Sequence, residues 1–163
     1  MTIKRVEGIR YGVEDMPECI EFLENWGLEK LESGETGAEF TTPENQTISL
    51  RLKTDPVLPP TNEDGPTARE ITWGVDTKEA LNQLGRELAT DREVTDNGSE
   101  GLQTLDDSGN YFALRLADIK ENYQPEPQMN FHERITRTNE RHWPDEKVRP
   151  LRIGHVVYSL PEE

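Results

Sequence analysis

The chain of 163 residues carries 33 acidic against 18 basic side chains, a formal charge of −15, with an apolar content of 32%. That balance argues against nucleic-acid or anionic-lipid partners, because phosphate contacts need clustered lysine and arginine. A single cysteine, Cys19, excludes an internal disulfide and suits a reducing compartment, and no stretch resembles a signal peptide or a membrane span, so a soluble cytoplasmic protein is expected.

The first element is a strand-like phrase, Ile9-Arg10-Tyr11-Gly12-Val13-Glu14, which returns as Ile71-Thr72-Trp73-Gly74-Val75-Asp76 and again as Ile153-Gly154-His155-Val156-Val157-Tyr158. Repetition of this kind constrains architecture ahead of any local propensity. The first and third copies stay in step through Met16-Pro17-Glu18 and Leu160-Pro161-Glu162, so their register is hard to slip.

After the first copy, Asp15-Met16-Pro17 starts a helix, with an acidic N-terminus and a proline where its missing N–H costs nothing. Cys19, Ile20, Leu23 and Trp26 share one helical face, and Gly27 is a left-handed stop. Three strands are predicted next, at 28–32, 38–41 and 47–53; in the last, Ile48, Leu50 and Leu52 point one way and Ser49 and Arg51 the other. Pro56, Pro59, Pro60, Gly65 and Pro66 make a linker.

The pattern then restarts with a strand at 70–76 and a helix with Asp76 and Glu79 as a capping box and Ala80, Leu81, Leu84 and Leu88 as its buried stripe. Strands at 92–95, 102–105 and 111–116 follow, the last two joined by Asp106-Asp107-Ser108-Gly109-Asn110, whose aspartates read as turn formers. From 122 to 150 the pattern disappears into a polar, proline-punctuated connector holding His132 and His142, which read as exposed loop residues. The expected division is 1–56 for module one, 67–121 for module two, 122–150 for the connector and 151–163 for the opening strand of a third module.

A strand-helix-three-strand module repeated about every sixty residues, with the Asp107-Ser108-Gly109-Asn110 hairpin before its final strand, resembles the vicinal oxygen chelate superfamily, which includes glyoxalase I, bleomycin-resistance proteins and type I extradiol dioxygenases. The likeness covers residues 3–118 and, as the start of a further unit, 151–163. It implies an α+β fold in which the tandem modules pair into an open curved sheet around a crevice. In that superfamily a divalent metal is held by one position in a module's first strand, often His, and one in its last strand, often Glu.

Carried over residue by residue, the resemblance puts Tyr11 and Trp73 in the first-strand positions and Ser49 and Ala113 in the last-strand positions. None is a good iron ligand: indole has no lone pair to give, alanine has no donor, and an unactivated hydroxyl binds poorly at neutral pH. These four are candidate pocket-lining residues, although paired-strand core is the plainer reading for Tyr11 and Trp73. His155 sits in a Gly-His-Val-Val setting that resembles the start of the catalytic half of two-domain extradiol dioxygenases, which makes it a candidate first metal ligand. A histidine in an apolar strand is otherwise a packing residue, and one imidazole makes no metal site.

The expectation is therefore a non-catalytic amino-terminal domain of a longer protein resembling an Fe(II)-dependent extradiol catechol dioxygenase. Such a parent would act on an aromatic diol with Fe(II), or with Mn(II), whereas no cofactor and no activity are expected of this chain alone. A homo-oligomer is expected, with no nucleic-acid or membrane partner. Two alternatives stand beside it: a metal-free small-molecule-binding protein of the glyoxalase and bleomycin-resistance type, and an assembly domain with a filled crevice. A crevice under about 300 Å³ argues against a ligand of ordinary size.

Overall fold

The structure, a computed structural model, describes residues 3–61, 65–121 and 149–157. Its elements follow in the order β1 (Ile3–Val13), α1 (Met16–Trp26), β2 (Glu29–Ser33), β3 (Gly37–Thr41), β4 (Thr47–Leu52), β5 (Thr67–Val75), α2 (Lys78–Leu88), β6 (Thr95–Asp96), β7 (Leu102–Leu105) and β8 (Tyr111–Leu116). Each module is thus a strand, a helix and three further strands, as the repeat implies. No helix among the described residues is long and apolar enough to cross a membrane.

The strands form one open, curved eight-stranded sheet in the order β2-β3-β4-β1-β5-β8-β7-β6. Within each module the first strand runs parallel to the last, β1 to β4 and β5 to β8, and the modules join where β1 pairs antiparallel with β5. Parallel strands cannot be joined by a tight turn; the helix carries the chain from the first strand to the far edge of its module, and two antiparallel steps bring it back to pair with that first strand. Three register shifts interrupt the β1/β5 ladder, between Ile3 and Arg5, between Val6 and Gly8 and between Arg10 and Tyr11. Bulges of this kind raise the local twist and re-aim side chains, and here they sit along the seam.

Both helices lie on one face of the sheet. Asp15 caps α1 through its carboxylate, which accepts from the Glu18 N–H at 2.9 Å, and Gly27, at φ 102°, closes it in the left-handed region. In α2 the capping side chain is Thr77, whose hydroxyl accepts from the Ala80 N–H at 3.1 Å, one residue past the expected Asp76, with Glu79 in the first turn. Trp26, expected on the buried face of α1, is 53% exposed, because Met16 and Leu23 are the residues that meet the sheet squarely. Where a strand was expected at 92–95, only Thr95 and Asp96 pair, with Gln103 and Leu102, and Arg92 turns its guanidinium to Asp91, Asp107 and the Leu105 carbonyl.

Val13, Met16, Leu23, Phe40, Ile48 and Leu50 form the core beneath α1, and Val75, Ala80 and Leu114 that beneath α2. Val6, Ile9 and Ile71 bridge them across the seam. Full burial of a side chain such as Phe40 or Ile71 contributes about 2 kcal/mol. β2 is exposed along its whole length and its Glu29, Lys30 and Glu32 charge that free edge. At the β7–β8 turn the Asp106 carboxylate accepts from the Ser108 and Asn110 N–H groups at 2.9 and 2.8 Å; partial burial opposes its ionisation, yet these bonds and the Asn110 side chain hold it below the usual carboxylate range.

Candidate functional site

The ladders decide which face each side chain takes. Arg10 pairs with Ser49 and Tyr11 with Leu50, while Thr72 pairs with Ala113 and Trp73 with Leu114. Tyr11 and Trp73 pack with the helix-bearing cores, so Ser49 and Ala113 belong to the opposite, helix-free face. The four candidate pocket residues are divided between two faces: a step of one residue along a strand reverses the side chain.

The helix-free face over the seam is charged. Glu7, fully buried, is the extra residue on β1 at the Val6/Gly8 register shift. Its Oε1 lies 2.6 Å from the Arg5 Nε and its Oε2 lies 3.6 Å from the Arg115 Nη2 and 3.4 Å from the Asp118 N–H. Arg5 also donates to the Glu44 and Asp118 carbonyls at 2.8 and 3.0 Å. Gly74 makes this possible, since a Cβ there would stand 2.6 Å from the Glu7 Cγ.

Glu70 is the second buried carboxylate. Arg10 approaches it at 3.6 Å and reaches Glu100 at 3.1 Å, and the Gln103 amide donates to it. Ser49 donates to Glu39 across β3 and β4 at 2.5 Å. The space left between Gly8, Arg10, Ser49, Glu70, Thr72 and Arg115 is about 60 Å³.

Such an arrangement binds charge internally. Each buried carboxylate faces an arginine, so a divalent cation would have to displace a guanidinium, and no group of three or more His, Cys, Asp or Glu suited to a metal exists among the described residues. These donors do not fit a divalent ion. Glu7, Glu70, Arg10 and Arg115 were all missed by sequence reasoning. Strand parity measured from the helix caps, Asp15 and Thr77, points to the face of Arg10 and Glu70, whereas Glu7 shares the parity of Ile9 and reaches that face only through its bulge.

Residues 149–157 return to the body on the helix-bearing side without forming a strand. Their anchor is Gln46, whose side-chain amide mimics a strand partner: its Oε1 accepts from the Ile153 N–H at 2.7 Å and its Nε2 donates to the Ile153 carbonyl at 3.1 Å. The same Nε2 donates to the Val6 carbonyl at 2.5 Å. Ile153 and Val156 then pack on the Val6, Ile9 and Ile71 cluster, while His155 between them is exposed. The extended run expected at 151–163 is therefore, in its described part, tied to a side chain in place of a sheet edge. His132 and His142 lie outside the described residues.

A larger hollow of about 650 Å³ borders Lys4, Arg5, Lys120 and Arg152 together with Glu44 and Glu121. Its walls carry both signs of charge and only Ile119 and Ile153 as large apolar groups.

No family model matches the sequence, and no curated protein does. Solved structures do match the fold. The Mn(II)-bound glyoxalase from Novosphingobium aromaticivorans is 19% identical, with 69% of this chain and 38% of that one covered at a TM-score of 0.55. The 2,3-dioxygenase LapB from Pseudomonas sp. KL28 is 17% identical, with 70% and 41% covered and a TM-score of 0.56. An extradiol ring-cleaving dioxygenase from B. fuscum is 14% identical, with 73% and 34% covered and a TM-score of 0.55. The chain thus spans between 34% and 41% of these solved chains, and shares with them the paired-module fold.

Proposed function

We propose that this chain, with its vicinal oxygen chelate fold, serves as the non-catalytic amino-terminal module pair of an extradiol-type ring-cleaving dioxygenase. The observation that carries this reading is the crevice between the modules, where paired carboxylates and arginines leave about 60 Å³. A catechol and a metal need several times that space. The same volume speaks against the alternative of a small-molecule-binding protein that uses this crevice.

In this reading the seam is a scaffold. Its buried ion pairs hold β1 and β5 in register, and Gln46 pins the returning segment so that His155 stands exposed one residue beyond Gly154. His155 would be the first ligand of Fe(II), or of Mn(II), with its remaining partners in further sequence of a longer protein. When bound, that metal would supply coordination of both catecholate oxygens and of O2. An aromatic diol is the substrate class, and the module pair would cover the catalytic half or contribute to oligomer contacts.

The test is metal retention by a longer protein read through the same frame. Its added residues should contain a second His and a Glu at module spacing, and His155→Ala should abolish stoichiometric iron, whereas Tyr11→Phe should leave iron intact. Full iron occupancy in His155→Ala, or a tightly held equivalent in the present chain, overturns the assignment.

A further inference from the structure

The two modules bury their helices differently. The ladders make Tyr11 the counterpart of Trp73, Ile48 that of Phe112, and the helix caps Asp15 and Thr77 make Cys19 the counterpart of Leu81. Under α2, Trp73, Leu81 and Phe112 pack against Val75, Ala80 and Leu114. Under α1 each of these positions carries a smaller side chain. The ring that β8 supplies as Phe112 is moved outward to Phe40 on β3, away from the space between α1 and β1. Protein interiors close-pack, so side chains that recede together leave room for something else.

What they leave is a cleft of about 450 Å³ lined by Tyr11, Cys19, Leu23, Trp26, Ile48 and Leu50, among others. Phe22 and Trp26, with ring centroids 6.2 Å apart, stand at its mouth 63% and 53% exposed. Ligand pockets are of this size and this make-up, mainly apolar with a few polar groups. The polar groups here are the Tyr11 hydroxyl, which has no hydrogen-bond partner among the described residues, the Cys19 thiol and the Glu18 carboxylate.

We propose that this cleft binds an uncharged aromatic molecule of one or two rings, with its hydrogen-bonding substituent on the Tyr11 hydroxyl and its face against Phe22 and Trp26. The site lies on the helix-bearing face, opposite the ion-paired crevice, and does not depend on the ring-cleavage reading. Charge sets the ligand class: Glu18 lines the cleft and Glu21 stands on the same helix, which has no basic side chain, while Lys30 is held by Glu24, so an aromatic anion is repelled. It also selects against a second copy of the chain as occupant, since a twofold contact here would bring two acidic helices together.

Cys19, the single cysteine, lines the cleft and reports on it. Burial, then Glu18 and Asp15, push its thiol above the ordinary range, so alkylation by N-ethylmaleimide is slow near neutrality and keeps rising with pH. Addition of 1-naphthol at about ten times its Kd slows that alkylation about tenfold, as mass action requires, while 1-naphthalenesulfonate at equal concentration does not. In calorimetry, 1-naphthol binding is lost in the double variant Cys19→Leu/Ile48→Phe, which rebuilds the floor of the second module, and is weakened in Trp26→Ala, whose exposed position leaves folding intact. Retained binding in either variant, equal protection by the sulfonate, or no protection at all overturns the site. So does a dimer in sedimentation that Trp26→Ala dissociates, which would assign the cleft to a second copy.

Discussion

Glu7 shows how much one residue can be asked to hold. Its carboxylate meets Arg5, Arg115 and the Asp118 N–H, and so joins the start of β1 to the end of β8 and the chain beyond it. Removing one partner of a buried ion pair is far more costly than the pair is worth, because the other charge stays desolvated. Glu7→Gln keeps the shape and removes the charge, leaving Arg5, with a side chain 12% exposed, facing a neutral amide. Urea unfolding should show a loss of about 3 kcal/mol. A change within 0.5 kcal/mol, typical of exposed positions, would contradict this account of the seam. None of this was legible from composition, in which Glu7 is one acidic residue among 33 in the chain. What distinguishes it is a bulge, and a bulge is a property of two strands together.

At the scale of elements, the signals that act within a few residues were readable. Asp15, Pro17 and Gly27 delimit α1, and the Asp106 to Asn110 turn joins β7 and β8 as its composition suggests. The cap of α2 moved by one residue, from Asp76 to Thr77, because both side chains can cap and the helix that packs Ala80 against Val75 starts at Lys78. The returning segment is a different case, since its hydrogen bonds go to a glutamine far away in sequence. Gln46→Glu tests this closely: the carboxylate can still accept from the Ile153 N–H but has no donor for the Val6 and Ile153 carbonyls. Hydrogen exchange at 151–157 should accelerate at least about tenfold, equivalent to roughly 1.4 kcal/mol of lost docking, while β3 and β4 stay protected. Unchanged exchange would mean that Ile153 and Val156 hold the segment by packing alone.

Over the whole molecule, the β1/β5 seam makes two modules one folding unit. Val6, Ile9 and Ile71 are buried only when both are present, and each half alone would expose that strip and its central strand edge. Trp26 and Trp73 lie in different modules, so in a Trp143→Phe background the fluorescence of Trp26→Phe and of Trp73→Phe should give unfolding midpoints that coincide with that seen by circular dichroism; two separated transitions would show independent modules. The repeat itself, the order of strand, helix and three strands within it and the alternation of apolar residues were determined by the sequence alone, because periodicity and turn chemistry act along the chain. Which face Tyr11, Trp73, Ser49 and Ala113 take, where Glu7 and Glu70 find their arginines, and how Gln46 captures Ile153 were decided only by tertiary structure. The reason is register: pairing between distant strands, shifted by a bulge of a single residue, exchanges the core face for the open one, and no local window of sequence contains both partners.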